Sequence, residues 1–362
     1  MGFGPQTFTL GVNDTLTISN YQLSLSQPIY TGGKLFSGLR SSQKGFSVAQ
    51  EQLKSAMQNV SYNVTVAYFG VIQAEKFQEL AQQSFDIAQE HLNQVNAMLK
   101  AGTSTRADVL RAEVSKAQAE VSLTKAKNSV LIAKNNFNNS LGKDLFEEIP
   151  LSETEFTIKY EQIPEYSILL GYAYENRPDW KQFLFGKEIA AESVNIARSD
   201  YFPSLALVGT YGEQMSVYPS FTSDSHSWTA IVSGSWSLLE APRRGKLKEA
   251  RARLEEQNEQ ERSLYNTIAL EVRNTFFDLK SALETLASTQ KAVELAQENL
   301  KVSEVRFTSG LGTNLEVMDA QVALTQASID NLDAIFGIIT SKAKINRVTG
   351  LEIFDLKGGK DL

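Results

Sequence analysis

An apolar repeat that keeps its phase over most of a long helix constrains this chain more than any other feature. In the stretch 33–100, apolar or small residues recur at Leu53, Met57, Val60, Val64, Ala67, Val71, Ala74, Ala81, Phe85, Ala88, Leu92, Val95 and Leu99, with Gln78 in one slot. The steps alternate four and three, a spacing of 3.5 residues that marks a coiled-coil seam rather than an ordinary globular helix. No proline falls inside the stretch. At 1.5 Å per residue it spans about 100 Å, roughly twice the breadth of a compact chain of this length. Such a rod must stand out of any compact body.

Charge and composition narrow the classes. A net charge of −7, with Arg243, Arg244, Lys246 and Lys248 as the only basic cluster, argues against a nucleic-acid partner. Cysteine is absent, so disulfides and thiolate metal sites are excluded. No apolar run approaches the 18 or so residues of a membrane-spanning helix, and no signal peptide is visible. A transmembrane barrel stays open, because its alternating strands escape hydropathy scans.

Two short regions alternate instead with period two. Tyr21, Leu23 and Leu25 oppose Gln22, Ser24 and Ser26; Phe8, Leu10, Leu16 and Ile18 alternate with threonines, and Asn13-Asp14 is a plausible turn. Past Pro203, Leu205, Leu207 and Tyr211 oppose Ser204, Ala206, Val208 and Thr210. Trp228, Ala230, Val232 and Trp236 oppose Thr229, Ser233, Ser235 and Ser237, with Ile231 as the exception. Tyr or Trp near each strand end suits a membrane-interface girdle, and equally the edge of a soluble sandwich. Between these regions the long helix closes at Gly102, and Thr103 or Thr105 can cap a second helix to about Leu141. Its seam is Val109, Ala112, Ala119, Leu123, Ala126, Val130, Ala133 and Phe137, so the pair makes an antiparallel hairpin.

An internal repeat organises the whole. Subtracting 208 sets Phe276-Phe277 on Tyr68-Phe69, Ala296-Gln297-Glu298 on Ala88-Gln89-Glu90, Gly310 on Gly102, Ala320 on Ala112 and Gly350 on Gly142. The second seam runs through Ile268, Val272, Leu279, Ala282, Leu286, Val293, Ala296, Leu300 and Phe307. It returns through Val317, Ala320, Leu324, Ala327, Ala334, Ile338, Ile345 and Val348. At the strand-to-helix junction Gly245 matches Gly33 with an offset of 212, which predicts local remodelling there. The expected segments are barrel strands over 1–31, a helical hairpin over 32–141 and an equatorial segment over 142–177. A helix over 178–201, strands over 202–240, a second hairpin over 241–350 and an equatorial tail over 351–362 follow. A helix and strand equivalent to 178–201 and 203 onward would fall before residue 1. The chain is therefore expected to lack its natural N-terminus and to supply only three full strands, and genomic sequence upstream of Met1 tests this.

Five stretches in this order resemble one known family. They are Gln27-Pro28-Ile29-Tyr30-Thr31-Gly32-Gly33-Lys34, Ala101-Gly102-Thr103 with Ala107-Asp108-Val109-Leu110, Asn176-Arg177-Pro178-Asp179 and Phe202-Pro203-Ser204-Leu205. The fifth is Ser309-Gly310-Leu311 with Leu315-Glu316-Val317-Met318-Asp319-Ala320. Together with the repeat they resemble the TolC-like outer-membrane efflux channels over essentially the whole chain. The resemblance implies a mainly helical protein with a small transmembrane β part. It also implies a homotrimer whose twelve-stranded barrel continues into a periplasmic α-barrel. Physics agrees: four strands with open edges cannot face lipid alone, and seams this long need neighbouring protomers. The polar strand face (Ser24, Ser204, Thr210, Ser233, Ser235) would line a water-filled lumen.

The resemblance also assigns roles. Glu316 and Asp319, three apart on one helix face, match pore-facing carboxylates near the periplasmic entrance. Asp108, Arg106 and Arg111 are candidates for polar contacts holding the tip shut. Gly102, Thr103, Gly310 and Leu311 match turns where a periplasmic adaptor docks, although Thr103 stands where an apolar residue is common. Tyr21, Tyr30, Tyr211, Trp228 and Trp236 are the interface aromatics. The implied partners are a periplasmic adaptor, an inner-membrane transporter and outer-membrane lipid. The implied activity is a passive exit duct for small molecules or proteins in a Gram-negative cell. A coiled-coil adaptor or a purely structural rod are the competing readings.

Chemistry-bearing motifs are not expected. Thr31-Gly32-Gly33-Lys34-Leu35 lacks phosphate-loop spacing, and Gly310-Leu311-Gly312 lacks the third glycine and a preceding strand. His91 and His226 stand alone, so no metal site, cofactor or catalytic dyad is expected, and His91 reads as a helix-surface residue. No enzymatic activity follows.

Overall fold

A computed structural model describes residues 6–9, 15–145, 147–149, 163–218, 221–237 and 242–354. Among the described residues four strands, β1 (Gln6–Thr9), β2 (Thr15–Tyr30), β3 (Ser204–Val217) and β4 (Thr222–Ser235), accompany six helices. These are α1 (Lys34–Lys100), α2 (Arg106–Ser140), α3 (Tyr166–Asn176), α4 (Pro178–Ser199), α5 (Pro242–Thr308) and α6 (Asn314–Thr349). The turn expected at Asn13-Asp14 lies outside the described residues. Contacts divide the chain into two units, Met1–Gln50 with Gln182–Ser263, and Glu51–Lys181 with Leu264–Leu362.

The first unit holds an antiparallel sheet of order β1-β2-β3-β4. Residues paired across strands share a face. Leu23, Tyr211 and Trp228 stand in one row, Leu25, Gly209 and Ala230 in the next, and Gln27, Leu207 and Val232 in a third. The opposite face carries Ser24, Thr210 and Thr229 in one row and joins Ser204 to Ser235. Both faces of β4 are exposed, its apolar residues included, with Trp228 at 81%. A bulge between Pro28 and Tyr30 ends the β2–β3 ladder, where Pro28 has no N–H to donate. Beside it Gly32 adopts a φ of +62°, and a Cβ there would lie 2.7 Å from the Ser199 carbonyl oxygen. Close approach of two backbones, as well as the turn, requires this glycine. Ion pairs Arg40–Glu192, Lys44–Glu188 and Lys187–Glu261 bind α1 and α5 to α4 here.

The second unit holds most of the helical hairpins, α1 and α5 beginning in the first. The repeat is visible in its lengths: α1 and α5 each have 67 residues, and adding 208 to Lys34 and Lys100 gives Pro242 and Thr308. The offset therefore persists to the start of the helix. Gly245 corresponds to Ser37, inside α5, and the remodelled offset of 212 is not what the helix start shows. Pro242, like Pro178, takes the first helical position, where its missing N–H costs nothing.

Three clusters fill the core. Ile268, Val272, Leu279 and Leu286 of α5 pack on Ala334, Ile338, Ile345 and Val348 of α6, with Leu169 and Ala173 of α3. Phe69 and Ile72 meet Phe336 and Ile339. Near the hairpin turns Leu92, Val95, Val109, Ala112, Leu300, Phe307, Val317 and Ala320 join all four long helices. The C-terminal helix departs from expectation: α6 contains an 18-residue window of mean hydropathy 1.2, long and apolar enough for a membrane span. Only 22% of that window is buried; Ala334, Phe336, Ile338 and Ile339 of α6 lie in the core of this unit, whereas Val322 is exposed. The α1 seam also divides. Val71, Ala88, Leu92 and Val95 are buried, whereas Leu53, Met57 and Val60 are exposed within the chain.

Arg177 joins α3 to α4 and α5. Its guanidinium donates to both Asp179 carboxylate oxygens at 3.0 and 2.8 Å and to Glu271 at 2.7 Å, and Arg347 also reaches Glu271 at 3.3 Å. Burial pushes Asp179 toward its neutral form, but Arg177 and the Trp180 N–H outweigh this and hold its pKa below 3.8. The Asn176-Arg177-Pro178-Asp179 motif is thus a structural clamp, closed by Gly350, whose φ is +73° and whose added Cβ would lie 2.9 Å from the Asn176 backbone.

Candidate functional site: the hairpin turns and the sheet face

Both hairpin turns are built alike. Gly102 (φ +79°) and Gly310 (φ +73°) take the left-handed conformation. Gly102 N–H donates to Leu99 and Thr103 N–H to Met98, while Gly310 donates to Phe307 and Leu311 to Arg306. These crossed bonds satisfy the last carbonyls of α1 and α5 and turn the chain back. Thr105, not Thr103, caps α2, and its counterpart Thr313 caps α6. Thr103 instead follows the αL glycine, with its hydroxyl donating to Met98. Thr103 and Leu311 are both exposed, Leu311 to 74%.

The two turns differ in their charges. Asp108 accepts the Thr105 hydroxyl at 2.6 Å and the Thr105 N–H at 3.2 Å, with the Ser104 hydroxyl at 3.4 Å. Its pKa is lowered, first by the Thr105 hydroxyl, and by the Arg111 charge only in a smaller part. This carboxylate belongs to its own helix cap; Arg106 and Arg111 are exposed beside it. At the second turn Glu316 lies 3.7 Å from Arg306, and Asp319 is exposed one turn further along α6. The acidic face therefore has a cation at its Glu316 end.

His91 departs from its expected surface position. It is 4% exposed, packed on the Phe307 ring, with Nε2 2.6 Å from Asn314 Oδ1. Asn314 Nδ2 donates to the Asp108 carbonyl at 3.2 Å, so its Oδ1 faces the histidine and Nε2 donates to it. This chain of bonds ties α1, the start of α6 and the start of α2. Periodicity within α1 does not reveal it, because the covering partner comes from the second repeat.

The sheet places Tyr21, Tyr30, Tyr211 and Trp228 at two levels of one face, and Trp236 directly follows β4. Tyr211 pairs with Trp228, and Tyr21 lies one row beyond, level with Glu213 and His226. Tyr30 pairs with Leu205 at the other end, where Trp236 Nε1 donates to the Tyr201 carbonyl at 3.3 Å. His226 does not stand alone either: it faces Glu213 across the ladder, and Asp224 lies two residues before it.

A family model described as outer membrane efflux protein matches residues 10–143 and 169–351. The chain is similar to the outer membrane protein TolC of Escherichia coli (strain K12), 21% identical over 358 residues covering 94% of this chain and 70% of that protein. Among solved structures it is similar to the outer-membrane channel OprN, with a TM-score of 0.83 at 20% identity over 96% of this chain and 79% of that one. It is also similar to the open state of the MtrE outer membrane channel of Neisseria gonorrhoeae, with a TM-score of 0.82 at 20% identity over 97% and 80%. The doubled hairpins, the two-faced sheet and these matches together make the chain a member of the outer membrane efflux protein family.

Proposed function

We propose that the chain is one protomer of a homotrimeric duct whose strands join in a shared barrel and whose hairpins join in a periplasmic tunnel. The observation that carries this reading is the sheet, one face apolar and exposed and the other polar, with open outer edges. An open edge in lipid leaves backbone groups unpaired, so closure needs further copies. From Tyr30 to Tyr21 the strand rises about 30 Å, which at a tilt near 40° gives an apolar band about 23 Å tall, as outer-membrane barrels require. A polar lumen passes solutes without chemistry of its own. Specificity then belongs to an inner-membrane transporter of unknown class, coupled through a periplasmic adaptor at the turns of Gly102-Thr103 and Gly310-Leu311.

Threefold symmetry would bring six carboxylates from Glu316 and Asp319 to the mouth and favour cations. Arg306 offsets Glu316, so Asp319 carries more of the preference. In planar bilayers the protein should form a cation-preferring pore, with Glu316→Gln/Asp319→Asn reducing the cation-to-anion permeability ratio severalfold. An unchanged ratio sinks the acidic mouth. A monomer that forms no pore sinks the duct and returns the adaptor or rod reading.

A further inference from the structure

We infer that the β3–β4 hairpin carries a divalent-cation site made by Glu213, Asp224 and His226. One ligand atom of each lies within 4.8 Å of the other two. The register makes this arrangement: Glu213 is the cross-strand partner of His226, and Asp224 precedes His226 by two, on the same face. Asp224 Oδ2 is 3.5 Å from His226 Nε2, so that nitrogen turns toward the carboxylates. Tyr211 Oη stands 3.5 Å from the other ring nitrogen, Nδ1, where it can orient the ring as outer-shell partners do.

A second observation sets this group apart from an ordinary solvated cluster. Among the described strand residues, these three are the only Asp, Glu, His, Lys or Arg side chains. The register gathers all of them at one point, and the sheet supplies no lysine or arginine to balance the two carboxylates. They sit one row beyond Tyr211 and Trp228, with Asp224 and His226 about half exposed and so open to an ion from solvent. A divalent ion would cancel both charges. Two oxygens and one imidazole suit a borderline transition ion such as zinc, with solvent filling the remaining position. Bound there, the ion would cross-link β3 to β4 close to their connection at 218–221.

Isothermal titration of the untagged, detergent-solubilised full chain with zinc chloride tests this directly. One ion per chain is expected, with His226→Ala and the near-isosteric Glu213→Gln each weakening binding about tenfold or more. Glu316→Gln/Asp319→Asn should leave the zinc isotherm unchanged. With cobalt as probe, a visible band present in the wild type should disappear in His226→Ala. Absence of stoichiometric zinc binding, or equal binding by the wild type and both ligand variants, overturns the site. Neither result bears on pore formation, so the site and the duct fail separately.

Discussion

Single side chains at the turns do work that their sequence neighbours do not disclose. The Thr105–Asp108 pair is a reciprocal cap, and such a cap contributes about 1 kcal/mol. Asp108 is depressed below 3.8, so its contribution is complete above that value and is lost as the pH falls through the folded pKa. Thr105→Ala should therefore lower the amide protection of Asp108 and Val109 about fivefold at pH 7, read by hydrogen exchange, with a smaller loss in acid, where only the Asp108 N–H bond to the Thr105 hydroxyl remains. A loss that does not shrink in acid would show that the carboxylate adds nothing to the cap. The same opposition operates at Glu192, whose pKa falls to about 2 chiefly through its hydrogen bond from Arg40. Legibility at this scale was uneven. Gly102 and Gly310 announce themselves, because few other residues reach a positive φ cheaply. His91 and the Glu213–Asp224–His226 group do not, since their partners arrive from other elements.

At the scale of elements, the heptads and caps write the helices almost to the residue. A seam of 3.5 residues dictates long paired helices, and a glycine followed by a threonine cap dictates where they reverse. What a glycine meets in space is another matter. A Cβ at Gly102 would meet nothing within 4 Å, whereas one at Gly350 would meet the Asn176 backbone at 2.9 Å. Gly102→Ala should cost about 1–2 kcal/mol, the left-handed penalty alone. Gly350→Ala should cost more, because the Asn176–Arg177 junction must move. Denaturant midpoints of the two variants make the comparison, and equal losses would show that the close approach carries no energy. The failed offset of 212 belongs here too. Gly245 invites alignment with Gly33 by residue type, but a glycine inside a helix and one in a turn answer different demands.

For the whole molecule the decisive feature is apolar surface that one chain does not cover. Leu39, Phe46, Leu53 and Val60 stand exactly seven apart on α1, each more than half exposed. Burying one such side chain stabilises by about 1.5–3 kcal/mol, so a stripe of four at each protomer contact would hold an oligomer firmly. For the trimer proposed above, Phe46→Glu/Leu53→Glu should reduce the trimer fraction by at least tenfold in native mass spectrometry while helicity by circular dichroism stays within a few per cent. Loss of helicity instead would mean that the stripe packs within the chain. The amino-acid sequence by itself determined the period of each element, the reversal points and the repeat, because these depend on local backbone preference and on spacing along one chain. Only the tertiary structure decided which half of the α1 seam is covered, that His91 is buried, and that three ionisable groups of the sheet meet. Those outcomes depend on the registers and partners of elements as far apart as the 223 residues between His91 and Asn314, which local preference does not encode.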